Sequence, residues 1–445
     1  MCYYALIMIK RVVDNKLFRS EDGRVYSTLR RERVGKKYRV AIIIDTAITI
    51  PPTTGVTYRL YYLSKELAKR GHKIVWVLGN RNFRAEDDLK ELCAAGLTVH
   101  VLPPRLFYNA AYVSGILTKE MIEIVQYEIT QTFVSLGLKI RQKTGLPVLL
   151  ELHDVEATLM KTLGKKERSP LMAFLQHAAG EYADAVVTMT PLDYATLTES
   201  IGIQKEKVLL VPNGVSKSGA DDVRVRKTGD AILFLGNLFY PPNQRGFVYV
   251  ADELLPELNK RRRVVLKSIG MIPEGLRKKY RGRADIEILG EIKEKRLFRK
   301  EVRSASVGLC TVFAGSGMKT KVLDYCLAGL PVVATTIGAS GYENVHGVIV
   351  RDEKMAIVNE IEKLLGNKKL AERIGRANKK DVIGLYGWPG IAKKFETALA
   401  LADNFTAQNF REETFRPLWL EEGRHAVNVL DCHFSIKNSK IYKHE

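Results

Sequence analysis

Runs of β-branched residues alternate with amphipathic stretches along almost the whole chain. Arg39-Val-Ala-Ile-Ile-Ile-Asp45 fits a strand covered on both faces. A loop over 46–55 follows, broken by Pro51, Pro52 and Gly55. Val56, Leu60, Leu63 and Leu67 then recur at spacings of four, three and four, which is one face of a helix, and Gly71 ends it. Lys73-Ile-Val-Trp-Val-Leu78 predicts the next strand. This strand–helix–strand unit implies a parallel sheet with a right-handed crossover.

The alternation continues, with strands predicted at 97–102, 147–152, 185–189 and 208–211 and helices at 119–143 and 171–182. The strand at 147–152 runs into His153 and Asp154. Pro212-Asn213-Gly214 breaks the pattern, and a polar stretch over 216–230 marks a domain boundary. A second series predicts strands at 231–235, 264–269, 286–289, 306–312, 331–335 and 347–350. Two successive sets of this kind make two Rossmann-like, doubly wound α/β domains, and 445 residues suffice for two cores. The chain divides into a basic extension (1–37), an N-terminal domain (38–212), a C-terminal domain (213–400) and a tail (401–445). The tail holds Trp419 and a strand-like stretch over 426–436, with no assigned role.

Charge changes this picture more than composition does. The net charge is +20, and residues 1–40 carry eleven Lys/Arg against four Asp/Glu. Such a chain attracts anionic membrane surfaces and phosphorylated molecules, although a generally solvated basic surface explains the charge equally well. The basic clusters lack interleaved aromatics, and no zinc-finger, RRM or KH pattern is present, so no specific nucleic-acid partner is expected. Five widely spaced cysteines without a Cys-x-x-Cys argue for a reducing, cytoplasmic compartment and against a zinc site. No apolar stretch reaches ~18 residues, and the apolar patch at 5–9 lacks the features of a secretory signal.

The segment richest in chemistry is Phe313-Ala-Gly-Ser-Gly-Met-Lys-Thr-Lys-Val-Leu-Asp324, a glycine-rich loop leading from a strand into a helix over about 319–328. Gly315 and Gly317 allow a tight turn and close approach of a ligand. The helix start offers free N–H groups to an anion. Lys319 and Lys321 sit unfavourably in that first turn unless a diphosphate binds there, and Asp324 lies one turn on, where it can accept from ribose hydroxyls. Read without further context, the same loop is also a plain βα turn with two solvated lysines.

This segment resembles the donor-site signature of the family 4 (group 1) retaining glycosyltransferases, which have the GT-B fold: two Rossmann-like domains facing each other across a cleft. Other pieces resemble the family in order. They are Pro51-Pro-Thr-Thr-Gly55 with the helix to His72, Leu149-Leu-Glu-Leu-His-Asp-Val155, Glu181-Tyr-Ala-Asp-Ala-Val-Val187, Val211-Pro-Asn-Gly-Val215 and Gly236-Asn-Leu-Phe-Tyr-Pro-Pro-Asn243. The resemblance spans roughly 38–400 and implies transfer of a sugar from a nucleotide-diphosphate-sugar to an acceptor hydroxyl, with retention of anomeric configuration and without a metal or other cofactor. It implies catalytic roles for His153 and Lys319. It assigns donor binding to Gly55, Gly236, Asn237, Arg245, Gly315, Ser316, Gly317, Met318, Lys321 and Asp324. Two positions depart from the pattern. Ser316 stands where the family often has a glutamate, so backbone N–H groups of Gly317 and Met318 are candidates for that contact. Asn237 stands where it often has an arginine, which Arg245 or Lys319 replaces.

Several roles stay open on sequence. Asp154 is either a helix N-cap or part of the site, and His153 is either functional or a strand-end histidine bonded to a nearby carbonyl. His72 is expected at a helix end without a chemical role. Asp285 and Glu287 lie within a strand pattern and are expected at the surface, not on a metal. The acceptor is expected on the N-terminal domain as a lipid-linked, polysaccharide or protein hydroxyl, with peripheral contact to an anionic cytoplasmic membrane face. The alternatives are a catalytically weakened nucleotide-sugar-binding protein and, more remotely, a basic nucleic-acid-binding protein.

Overall fold

The computed structural model describes residues 35–409, apart from 47, 51, 53, 80–85, 217–224 and 226–228, together with 434–437 and 440–443. Pro51, Trp419, the stretch 426–433 and nearly all of the basic extension lie outside the described residues.

Among the described residues, seven strands build the N-terminal sheet: β1 (Arg39–Ile44), β2 (Lys73–Gly79), β3 (Leu97–Leu102), β4 (Ile124–Tyr127), β5 (Val148–Glu151), β6 (Ala185–Thr188) and β7 (Val208–Leu210). All pair in parallel, in the order β3-β2-β1-β4-β5-β6-β7. Six more form the C-terminal sheet: β8 (Ala231–Leu235), β9 (Val265–Ile269), β10 (Ile286–Gly290), β11 (Val307–Cys310), β12 (Val332–Ala334) and β13 (Val348–Val350). Their order, β10-β9-β8-β11-β12-β13, repeats the same doubly wound plan. Strand order reverses beside β1 and β4 in one sheet and beside β8 and β11 in the other. Loops leaving the carboxyl ends of these strands frame a crevice, which is where open parallel sheets bind ligands.

One expected element is replaced. The stretch 119–143, read as a single helix, contains β4, a central strand held between β1 and β5. The preceding helix Ala110–Lys119 stops at Met121, which adopts φ 53°, and a new helical stretch begins at Thr130. A four-residue stretch has too little length for periodicity to tell strand from helix, and sheet pairing decides.

The last long helix, Trp388–Asn409, leaves the C-terminal domain and crosses back. Trp388, Ile391, Phe395, Leu399 and Ala402 share a core with Ile42, Leu60 and Trp76 of the N-terminal domain. Glu396 secures the return, with Arg70 at 2.6 Å, His72 at 2.9 Å and Lys37 at 3.2 Å. His72 is buried here, and its Nδ1 accepts from the Tyr38 N–H. The expected start of the tail at 401 falls inside this helix; farther on, an antiparallel hairpin joins β14 (Phe434–Lys437) to β15 (Lys440–Lys443). The outgoing and returning chains run side by side: Val215 N–H donates to Tyr386 O at 2.7 Å, and Trp388 N–H to Val215 O at 3.3 Å. Among the described residues, no helix is long and apolar enough to cross a membrane.

Candidate active site

The N-terminal side of the cleft starts at the helix Gly55–Lys69. Thr54 caps it, accepting from Thr57 N–H at 3.3 Å while its own N–H donates to Thr57 Oγ1 at 3.2 Å. That cap aims Gly55 across the cleft, where an added Cβ would stand 3.6 Å from Thr320 Cγ2. Thr320 immediately precedes the helix Lys321–Leu327, so the positive ends of two helices meet at one place. His153 and Asp154 follow β5. His153 Nε2 lies 2.7 Å from Glu128 Oε2, beyond β4, so its partner is a carboxylate and not a local carbonyl. Asp154 does not cap the next helix, Glu156–Thr162, whose N-cap is Val155 without a side-chain bond. Its carboxylate instead faces Gly317 of the opposite domain.

The glycine-rich loop docks on that N-terminal surface. Gly315 and Gly317 hold φ of 112° and 74°, which a side chain disfavours. A Cβ on Gly317 would sit 2.3 Å from His153 O and 2.6 Å from Asp154 Oδ1. Gly315 N–H donates to Thr162 Oγ1 at 2.9 Å. Ser316 Oγ donates to Asp193 Oδ1 and accepts from Val155 N–H at 2.6 Å. Gly317 N–H donates to Asp193 Oδ2 at 3.0 Å. The Gly317 N–H, a candidate for the sugar in place of the absent glutamate, is therefore spent on Asp193 in this arrangement. Met318 is buried against Gly341, and its sulfur takes the Asn213 N–H at 3.3 Å.

Lys319 folds back over the loop, with Nζ donating to Ser316 O and to Gly317 O at 2.9 Å. Lys321 is buried. Its Nζ lies 4.6 Å above the Phe234 ring, donates to Asn243 Oδ1 at 2.7 Å and would stand 3.1 Å from a Cβ on Gly236. Asn237 bridges locally, accepting at Oδ1 from Phe239 N–H and at O from Asn243 Nδ2. Arg245 is exposed on the helix Pro241–Tyr249, one turn before Tyr249, which packs on Phe313 of the loop. The Asp324 carboxylate keeps a solvent-exposed edge although protein crowds around it, and no side-chain hydrogen bond engages it among the described residues.

Burial sets the electrostatics. It pushes the Asp324 carboxyl up to about 7 and the Lys321 ammonium down to about 8, the latter with help from neighbouring Lys319. Asp154 is also raised by burial, which Lys319 and His153 oppose. For His153, burial works against the charged form, but the hydrogen bond and charge of Glu128, with the charge of Glu151, outweigh it and raise the imidazole. Asp285 is paired with Arg283 at 2.7 Å and Glu287 with Lys267 at 3.4 Å, so these two carboxylates do not converge.

Sequence reasoning missed Arg59, Gln126, Glu128, Glu151, Thr162 and Asp193. Asp193 carries a faint signal: Thr190-Pro191-Leu-Asp193 begins a helix, and Thr190 Oγ1 accepts from Asp193 N–H at 3.1 Å as its cap. Nothing local shows that this carboxylate reaches the other domain.

Comparison with known proteins agrees with this architecture. The family model described as "Glycosyltransferase Family 4" matches residues 53–218, and that described as "Glycosyl transferases group 1" matches 229–367. One of the subunits of phosphatidylinositol N-acetylglucosaminyltransferase from Arabidopsis thaliana is 24% identical over 388 residues, 81% of each chain. Among solved structures, Anabaena HepE in complex with UDP and glucose superposes with a TM-score of 0.62 at 13% identity, covering 82% of this chain and 99% of that one. A glycosyltransferase from Rickettsia africae gives 0.63 at 16% identity, covering 83% and 98%. With two parallel doubly wound sheets, a glycine-rich loop at the crevice between them and family matches over both halves, this chain belongs to the group 1, family 4 glycosyltransferases of the GT-B fold.

Proposed function

We propose that the protein transfers a sugar from a nucleotide-diphosphate-sugar to an acceptor hydroxyl, with retention at the anomeric carbon and without a metal. The observation that carries this reading is the approach of Gly55 to the Thr320–Asp324 turn, which gathers two helix starts, Lys319, Lys321 and a free carboxylate around one space. Lys319, Lys321 and backbone N–H groups meet the diphosphate charge, Asp324 holds the ribose, and Arg245 approaches from the rim. Gly236 and Asn237 bound the nucleotide side. The acceptor oxygen bonds to the anomeric carbon on the face that the diphosphate leaves. The breaking C–O bond gives its electron pair to the diphosphate, whose oxygen takes the acceptor's proton. Fixed positive groups in a water-poor cleft stabilise that developing charge. Chelation by EDTA is expected to leave turnover unchanged.

UDP is the first nucleotide to test, since HepE was solved with UDP and glucose. The Arabidopsis relative's name pairs N-acetylglucosamine with phosphatidylinositol, and a phosphate-bearing lipid suits this chain. Lys161, Lys165, Lys166 and Arg168 are exposed beside Thr162, at the mouth of the cleft, and enter no ion pair among the described residues. Such cations favour an anionic cytoplasmic membrane face by about 1 kcal/mol each. Liposome co-sedimentation that ignores anionic lipid content would remove the membrane part of this reading. For the donor, a nucleotide at about 100 times its Kd stabilises the native state by about 2.7 kcal/mol. UDP is expected to raise the melting temperature, and D324A with K319A to abolish the rise. No response to UDP, GDP or ADP would overturn the donor assignment, and binding without turnover on any acceptor would favour a nucleotide-sugar sensor.

A further inference from the structure

A chain of buried polar groups runs beneath His153. Arg59, on the helix that begins at Gly55, has no exposed surface; it donates through Nε to Glu151 Oε1 and through Nη1 to Pro212 O at 2.6 Å. Glu151, the last residue of β5, is 1% exposed. Gln126 of β4 bridges two carboxylates, its Nε2 lying 2.7 Å from Glu151 Oε2 and 2.5 Å from Glu128 Oε1. Both amide hydrogens are thus committed to the carboxylates, and its own oxygen is buried without a partner. Glu128 is 3% exposed and ends the chain on His153 Nε2.

Charge balance decides what this arrangement does. Two carboxylates share a desolvated space, and an unpaired charge there costs several kcal/mol. Arg59 neutralises one of them. Glu151 and Glu128 press on His153 from β5 and β4, Arg59 opposes them from its helix, Asp154 lies next in sequence, and Lys319 reaches Asp154 from the other domain. The cation in contact with the second carboxylate is His153 when it carries two protons, and its hydrogen bond and charge oppose the burial and the Glu151 charge that push the Glu128 carboxyl up.

We propose that Glu128, backed by the Gln126–Glu151–Arg59 chain, is a positioning residue that fixes His153 as an imidazolium, with Nε2–H held by Glu128 and Nδ1–H presented to the cleft as a hydrogen-bond donor. This rests on the reading of the cleft as the transfer site. His153 then acts as a fixed donor and positive charge toward the donor substrate, and it has no lone pair with which to take the acceptor's proton. Arg59 also ties this charge to the interdomain connection, because Pro212 O belongs to the segment that leaves the N-terminal domain.

The test is a pH titration of the full chain with 15N-labelled histidine, reading ring protonation by NMR, with H153N identifying the His153 signals. It needs no substrate, so it stands or falls apart from the transfer reaction. Wild-type His153 is expected to carry protons on both nitrogens at pH 7. E128Q keeps the Nε2–H contact but removes the charge, and the midpoint is expected to fall by about one unit or more, a tenfold loss of proton affinity. Should E128Q fail to fold, E128D keeps the charge at a longer reach, and its midpoint is expected to fall part of the way. A wild-type His153 that is singly protonated at pH 7, or a midpoint that does not move in a folded variant, overturns the proposal.

Discussion

Gly317→Ala separates the docking of the glycine-rich loop from the stability of either domain. The added Cβ would lie 2.3 Å from His153 O, about 0.7 Å inside the 3.0 Å that real Cβ contacts respect, and the obstacle is backbone, which cannot rotate away. The φ of 74° adds about 1–2 kcal/mol for an L side chain. The loop retreats from the N-terminal domain, and its bonds to Asp193 and the Val155–Ser316 contact lengthen. Hydrogen bonds to a charged group are worth about 1.5–3 kcal/mol each, so weakening this set disfavours docking by about 3 kcal/mol. That is roughly a hundredfold in rate if docking completes the site. Steady-state transfer with the UDP-sugar that supports turnover is expected to lose about two orders of magnitude in kcat/KM. UDP affinity is expected to change far less than kcat/KM, since the added Cβ meets the N-terminal domain at His153 O, while the melting temperature falls by a few degrees. A G317A protein with wild-type kcat/KM would refute the claim that docking matters.

Other measurements probe the remaining contacts. Ionised Asp324 and protonated Lys321 both favour UDP, so calorimetric affinity is expected to peak between about 7 and about 8; D324N weakens binding and removes the acid limb, and K321M weakens it and removes the alkaline one. At Glu396, burial raises the carboxyl, but hydrogen bonds from Arg70, His72 and Lys37 carry it down to about 2. A depressed carboxyl stabilises the fold above its unfolded value of 4.5 and loses this as pH falls toward 2. E396Q is expected to lower stability by about 1–2 kcal/mol at pH 7, allowing for solvent screening at this half-open site, with the gap to wild type closing in acid melts. Arg59→Met leaves Glu151 buried and unpaired, at a cost of about 3–5 kcal/mol in denaturant unfolding. R59M with E151M is expected to recover part of that loss, and equal stability of R59M and wild type would contradict the charge accounting.

What could be read from the sequence was local chemistry. The glycine-rich loop declares itself because the turn, the two lysines and Asp324 lie within ten positions, and the strands declare themselves by β-branched runs. The strand β4 did not, because Ile124-Val-Gln-Tyr127 carries no periodicity that separates it from its helical flanks. The His153 support was hidden for another reason. Arg59, Gln126, Glu128 and Glu151 come from one helix, two strands and the position just past β4, and each sits where an ordinary polar residue could face solvent. The amphipathic pattern of Trp388–Asn409 reveals that one face is buried, but not that it is buried on the first domain.

That returning helix has a consequence for synthesis. Phe395, Leu399 and Ala402 complete the layer over Ile42 and Trp76, so the first domain lacks part of its core until the second has been translated. At ribosomal rates of about 5–20 residues per second, the N-terminal sheet waits roughly ten to forty seconds with that face uncovered. A nascent chain stopped before position 388 should therefore hold an incomplete, chaperone-dependent first domain beside a second one able to close its own core. The order of folding would run against the order of the sequence.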